Sequence, residues 1–297
     1  MLGKDTWSSF DGKEMPWHLD AVPAGHPVRA VVITVHGLSG ASSDFWPLGK
    51  AWPARGIAVY GLELRGQGND PDIKRRGDIR GAKIWQADLL TFHRLVSERH
   101  PGVPVFWYAE SLGALVALHA ADQAKANYER PPDAIIFASP AAGLRMRLST
   151  GKMLLLRSAS TVMPFKMVNL ERLAGVKDSD IRVTQGTTHE AQMAKTPHYV
   201  SKFSLRLLDE IYTMMIASPG ALRDLRMPVL VLASPNDVIA SPEQIQKFYD
   251  LIGSKDKTLL WYRKSYHLLL HDVQREEVLH DATNWTEAHL RAPHPPR

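Results

Sequence analysis

The residues best suited to covalent chemistry lie in Ala109-Glu110-Ser111-Leu112-Gly113. An apolar run, Val103–Tyr108, leads directly into this segment, and an Ala-rich helical stretch leaves it. A serine at the apex of a sharp strand–turn–helix projects its hydroxyl clear of the backbone, and small flanking residues let the chain make the turn. The pattern is A-x-S-x-G, with Ala109 in place of the usual first glycine. Taken alone, the segment also fits a serine that merely caps a helix. Two further sites favour the nucleophile. Asp237 follows the apolar run Val229–Ala233, and His267 follows Thr258–Tyr262. Both therefore stand where buried parallel strands end, which is where open α/β sheets place their sites. Near the start of the chain, His36-Gly37-Leu38-Ser39-Gly40 follows the run Val31–Val35 and forms a glycine-bearing turn whose backbone N–H groups can face a developing oxyanion.

Several rivals are weaker. His271 lies deeper in the segment after His267. Asp133 precedes a strand instead of following one. His189-Glu190 lacks the second histidine of a zinc helix motif. Gly66-Gln67-Gly68 lacks the third glycine of a dinucleotide loop. Arg65 reads as an ion-pair former.

These residues require a scaffold of buried strands. Val31–Val35, Ile57–Leu64, Val103–Tyr108, Ala134–Ala138, Val229–Ala233 and Thr258–Tyr262 are continuous apolar runs, as expected for strands covered on both faces. Helical segments fall between them at Ile84–His100, Leu112–Lys125, Pro242–Ile252 and Glu276–Leu290. Ser241 before Pro242 is a strong helix start. Trp7–Phe10 and Met15–Val22, joined around Asp11-Gly12, read as a leading hairpin. The alternation predicts an α/β fold: a mostly parallel central sheet with helices on both faces. Between about residues 141 and 227 the strand runs stop, which predicts a helical cap inserted in a core made of residues 1–140 and 228–297.

Composition narrows the class. The chain has 297 residues, 44% hydrophobic and 23% charged, and no cysteine. That excludes a disulfide framework and a thiol nucleophile, and it fits a cytoplasmic protein. The apolar runs are too short to span a membrane. The net charge of +5 is a weak footprint for nucleic acid, and none is expected as a partner. From Arg145 to Met227 there are 13 Lys and Arg against 7 Asp and Glu, whereas the rest of the chain has 23 against 24. The same stretch holds 8 of the 10 methionines and none of the 8 tryptophans. A basic, Met-rich helical surface can approach anionic lipid, so a transient membrane-surface contact is one expectation. A solvated cap with a Met-filled core is the other.

From about Val31 to Leu290 the sequence resembles the α/β-hydrolases, and within them the monoacylglycerol lipase and lysophospholipase-like branch (serine aminopeptidase S33-type). The resemblance rests on Val35-His36-Gly37-Leu38, on Glu63-Leu64-Arg65-Gly66-Gln67-Gly68, on Ala109–Gly113, on Pro235-Asn236-Asp237-Val238-Ile239 and on His267-Leu268-Leu269-Leu270. Ala109, Glu63 and Gln67 depart from the family's usual Gly, Asp and His.

The resemblance implies an α/β-hydrolase fold and a triad of Ser111, Asp237 and His267, in the chain order of that fold. It also implies an oxyanion hole made by the N–H groups of Leu38 and Leu112, and chemistry with no cofactor or metal. His36, Gly37, Glu110, Met214 and Met215 are expected to line the substrate site. Val200, Phe203, Leu207, Ile211 and Met214 recur at helical spacing and are expected to form the roof of an acyl pocket. The expected reaction is hydrolysis of carboxylic esters with apolar acyl groups, such as monoacylglycerols or lysophospholipids, through an acyl-enzyme. The alternatives are a thioesterase, amidase/peptidase or acyltransferase on the same triad, or a non-catalytic binding member of the fold.

Overall fold

The computed structural model describes residues 1–127, 129–145, 150–169, 181–188, 191 and 196–291. Eight strands form one sheet: β1 (Thr6–Ser8), β2 (Glu14–Asp20), β3 (Ala30–Val35), β4 (Ile57–Leu62), β5 (Val105–Glu110), β6 (Ala134–Ala138), β9 (Val229–Ala233) and β10 (Lys257–Trp261). Their order is β1-β2-β4-β3-β5-β6-β9-β10. The six strands from β4 to β10 run parallel, and the β1–β2 hairpin adds to β4 antiparallel. A separate two-stranded ribbon pairs β7 (Met167–Val168) with β8 (Phe203–Ser204). Each predicted apolar run forms a strand. β3, β4, β5, β6 and β9 are buried along their whole length, which explains why they read as continuous rather than alternating.

Helices cover both faces. On one face, α2 (Ala82–Arg99), α3 (Leu112–Ala126), α5 (Leu205–Asp224) and α6 (Pro242–Leu251) share a core with Val31, Ile33, Trp107 and Phe137. On the other, α1 (Trp46–Ala51) and α7 (Arg275–Arg291) cover Val32, Phe106, Tyr108 and Leu230. Successive strand residues point to opposite faces, so each buried strand feeds both cores.

The inserted stretch differs from its expected form in one respect. α4 (Thr150–Val162) packs on α5, the β7–β8 ribbon buries Phe203 in the main core, and α5 is itself part of the helical layer. α5 packs chiefly on α3, and also touches α2 and α6. Leu207 and Met214 are buried in the main core, and the Met214 carbonyl lies 2.8 Å from His119 Nε2. The cause is topological. β6 and β9 are parallel neighbours, so the chain must return through a crossover, and the last helix of that crossover covers the sheet. The apolar face expected to roof a pocket is therefore a core seam.

The remainder of the insertion is fastened to loops at the C-terminal ends of the strands. Ser39 Oγ donates to the Val200 carbonyl at 2.8 Å, the Ser204 N–H donates to the Gly77 carbonyl at 2.8 Å, and the Leu268 N–H donates to the Val183 carbonyl at 3.0 Å. These anchor points follow β3, β4 and β10.

A charge cluster with Arg65 and Asp88 buried and Asp11 exposed fixes the hairpin to the sheet. The Arg65 guanidinium contacts Asp11 at 2.6 and 2.7 Å and Asp88 at 2.8 Å, while Ser9 Oγ donates to Asp88. Burial pushes the Asp88 carboxyl up to about 6 despite its partner. Removing one member of such a pair leaves a buried charge uncompensated. Arg65→Met is therefore expected to lower stability by about 3 kcal/mol at neutral pH, measured as a shift in the urea midpoint. The loss should be smallest at low pH and grow as pH rises through about 6, because Arg65 lowers the Asp88 carboxyl against burial and its removal lets the folded state hold that proton more tightly still. Arg65→Met combined with Asp88→Leu should recover much of it; a double variant no more stable than the single one would contradict the buried-charge account.

Candidate active site

β5 ends at Glu110 and α3 begins at Leu112, so the whole reversal is made at Ser111. Its backbone has φ 54° and ψ −114°, a conformation that L-residues rarely adopt and that costs on the order of 1–3 kcal/mol. The surroundings hold it there. The Ser111 N–H donates to the Ala138 carbonyl at 3.1 Å, and the Ser111 carbonyl accepts from Ala114 at 3.1 Å and from Ala141 at 3.3 Å. Gly113 is obligatory: a Cβ there would lie 2.1 Å from the Val35 carbonyl oxygen and 2.7 Å from that of His36. The first turn of α3 thus presses against the end of β3. Ala109 is fully buried opposite Val35 and Phe137, where one methyl group is accommodated.

The three residues singled out from the sequence meet here. His267 Nε2 lies 3.0 Å from Ser111 Oγ, and His267 Nδ1 lies 2.9 Å from Asp237 Oδ2. Asp237 is almost wholly buried, and its other oxygen accepts the N–H groups of Ile239 at 2.7 Å and Ala240 at 3.3 Å. Arg145 donates to the Asp237 carbonyl, which ties the start of the insertion to this loop. Burial alone would pull the His267 imidazole down, but the Asp237 carboxylate outweighs it and raises the ring above its ordinary value. His271 is not part of this relay; it ends a short 3-10 turn, with its ring 6.4 Å from that of Trp46.

The turn after β3 comes within van der Waals contact of the nucleophile. A Cβ on Gly37 would sit 3.1 Å from Ser111 Cβ and 3.7 Å from its Oγ. The neighbouring amides are committed elsewhere: Ser39 N–H donates to Gln67 Oε1 at 2.9 Å, and Gly40 N–H to the Gly37 carbonyl at 3.1 Å. Leu38 lies between Gly37 and these engaged amides, and Leu112 opens α3, where helix-end N–H groups and dipole favour negative charge.

Three of the expected substrate contacts take other places. His36 is buried, with Nδ1 2.9 Å from the Gly37 carbonyl and Nε2 accepting the Leu64 N–H at 3.0 Å, so it braces the turn. Met214 belongs to the α5–α3 seam, and Met215 is half-buried against the same core. Gly37 stays at the site as a close contact of Ser111. Glu110 stays as a buried neighbour whose charge acts on His267. Burial pushes its carboxyl up to about 7, and the nearby Asp44 and Asp237 push the same way. His189 and Glu190 lie outside the described residues. Among the described residues no group of three or more His, Asp or Glu side chains is placed to hold a metal ion.

Two residues without a catalytic signature support the site: Gln67, already noted as a departure from the family's usual His, and Asp272. Gln67 orders the β3 turn. Asp272 accepts backbone N–H groups from both sides of the His267 loop and from the insertion. The only available signal for Asp272 was an acidic residue five positions after His267.

The electrostatics can be tested directly. In the protein as it stands, the His267 ring should titrate above its ordinary value of about 6.5. In Asp237→Asn burial is opposed only by the weaker pull of Glu110, so the ring should titrate lower than in the wild type. Imidazole NMR across pH 4–9 reads both, and an unmoved titration would remove Asp237 as the cause.

With this geometry in place, comparison with known proteins gives a consistent result. The family model for serine aminopeptidase, S33, matches residues 26–274. The phospholipase YtpA of Bacillus subtilis is 25% identical over 276 residues, covering 90% of this chain and 98% of its own. A monoacylglycerol lipase of Mycolicibacterium smegmatis is 22% identical over 263 residues, covering 88% and 89% respectively. Among solved structures, a soluble variant of the Saccharomyces cerevisiae monoglyceride lipase superposes with a TM-score of 0.79 at 18% identity, covering 97% of this chain and 96% of that one. Sheet order, strained serine turn and family match agree: the chain belongs to the serine aminopeptidase S33 family of α/β-hydrolases.

Proposed function

We propose that this protein is a serine hydrolase of carboxylic esters with apolar acyl groups, of the monoacylglycerol or lysophospholipid kind. The observation that carries the reading is the unbroken relay Ser111 Oγ–His267–Asp237, with contacts of 3.0 and 2.9 Å. Ser111 Oγ attacks the acyl carbonyl while His267 Nε2 takes its proton. The tetrahedral oxyanion rests on the N–H groups of Leu38 and Leu112. His267 then protonates the leaving alcohol, and water attacks the acyl-enzyme by the same route in reverse. Asp237 fixes the ring so that Nε2 faces the serine, and it stabilises the imidazolium. Each step uses groups of this chain alone.

The lipid-like substrate class is supported by the relatives, named as a phospholipase and monoacylglycerol lipases. The character of the insertion supports it too. The described residues between 141 and 204, without α5, make up the cap in this reading, and they are fastened to loops at the ends of the strands. On it, Leu154 and Leu155 are 68% and 70% exposed, and Val162 and Phe165 are 79% and 68% exposed. Lys166 is exposed beside them. Such a surface is costly in water, and in our reading it rests on an anionic lipid surface and brings the site to its substrate. Among the described residues no helix is long and apolar enough to cross a membrane. The cysteine-free composition fits a cytoplasmic location.

Two experiments test this reading. Ser111→Ala should keep the fold and reduce ester turnover by at least ~10⁴-fold, His267→Ala should match it, and Asp237→Ala should cost less. Wild-type labelling by a fluorophosphonate probe should disappear in Ser111→Ala. Turnover of acyl p-nitroanilides rather than p-nitrophenyl esters would favour the amidase alternative. Separately, Leu154→Asp with Leu155→Asp should weaken co-sedimentation with phosphatidylglycerol vesicles and slow hydrolysis of vesicle-borne monoacylglycerol, yet leave p-nitrophenyl acetate turnover unchanged. Equal losses on both substrates would show that this face does not serve lipid contact.

A further inference from the structure

We infer that Asp272 is a positioning residue for His267 and that it joins the catalytic loop to the inserted segment, so that the cap forms part of the mounting of the base. The inference rests on the proposed triad. It goes beyond that triad by naming what holds its histidine.

His267 lies in a stretch between β10 and the 3-10 turn at Leu269–His271 that has no helix or strand hydrogen-bonding of its own. Its placement must come from elsewhere. The amide before it, Tyr266 N–H, donates to Asp272 Oδ2 at 2.7 Å. The amide after it, Leu268 N–H, donates to the Val183 carbonyl at 3.0 Å. The same Asp272 carboxylate also takes the Gln185 N–H at 2.9 Å and the Val273 N–H at 2.8 Å, both on Oδ1. Asp272 is nearly buried, at 8% exposure, and its oxygens accept three backbone donors. Hydrogen bonds to a charged acceptor are roughly twice as strong as neutral ones.

Both amides that bracket His267 are thus tied to one short piece of the insertion, one through Asp272 and the other directly. That piece is suited to act as a strut. Arg182 and Thr188 form an antiparallel bridge, the Thr187 N–H donates to Thr184 Oγ1 at 2.9 Å, and Val183 and Thr184 are buried. The turn is closed by its own hydrogen bonds as well as by its contacts with the His267 loop. If the strut shifts, the ring shifts with it, and displacement of a reacting group by about 1 Å can cost on the order of 100-fold in rate. The cap therefore acts on turnover of even the smallest ester, which needs no acyl pocket.

The test uses the full-length protein and p-nitrophenyl acetate, with active sites counted by exhaustive fluorophosphonate titration. Asp272→Ala removes the carboxylate, and Gln185→Pro removes only the donor from the insertion. In both variants kcat per titrated site should fall, by about 100-fold in Asp272→Ala, with KM within about twofold of wild type. A residue that only stabilises the fold would lower the titratable fraction and leave kcat per site unchanged. Wild-type kcat per site in either variant, with His267→Ala inactive, overturns the inference and leaves the triad standing. An active His267→Ala overturns the triad and this inference together. Should Asp272→Ala fail to unfold cooperatively in urea, Gln185→Pro decides by the same criterion.

Discussion

The close approach of α3 to β3 is the contact on which the rest of the site depends. At Gly113 the helix backbone lies so near the Val35 carbonyl that no side chain fits between them. That contact leaves Ser111 a single residue in which to reverse the chain, and it forces φ into the positive range. The strain is compensated locally by three backbone hydrogen bonds and by small neighbours on each side. Its consequence is geometric. The hydroxyl stands free of strand and helix, Leu112 opens the helix with its N–H at the same apex, and the Gly37 turn closes against the other side.

The same economy governs the charges. His36, Glu63, Glu110, Asp237 and His267 are all nearly buried, within one region at the strand ends. Unpaired charges would be costly there. Asp237 is satisfied by two backbone N–H groups and the imidazole, and Glu63 accepts from Ser42 and Asn69 on one oxygen while the other lies 3.5 Å from His36 Nε2. Glu110 is treated differently: burial and its acidic neighbours hold its carboxyl up to about 7, so near neutrality it does not add a full negative charge beside the proposed base. Asp237 is left as the main anion acting on His267, which keeps the direction of the relay defined.

Much of this arrangement was legible in the sequence because it is written in local signals. Buried parallel strands are short apolar runs. The serine turn is bounded by small residues, and Asp237 and His267 follow recognisable strands. What could not be read is what depends on partners. Val200, Phe203, Leu207, Ile211 and Met214 have a helical period, but a period says only that one face is buried, not against what. The return from β6 to β9 decided that question, and it placed Leu207 and Met214 against α3 and not over the site. His36 likewise has the composition of a ligand-binding residue, and only the position of Leu64, 28 residues away, shows that it is a brace. Asp272 was missed for the same reason: one of its donors, Gln185, is 87 residues away.

Once α5 is assigned to the core, the insertion is smaller and its attachments carry more weight. A cap that simply lay over the sheet could open without disturbing the catalytic groups. Here the anchor points run through the loops that carry the site: Ser39 beside the Gly37 turn, Arg145 on the Asp237 carbonyl, and Val183 on the amide after His267. Motion of such a segment is transmitted to backbone atoms on either side of reacting groups, with no need for a relay of side chains. The exposed apolar face of α4 lies on this same insertion, and α4 is tied to α5 by Arg157 and Asp209 at 3.1 Å. Under the proposed function, substrate access and the placement of the proposed base both depend on one insertion, because the exposed apolar helix α4 and the turn at Val183–Gln185 lie in the same stretch between β6 and β9.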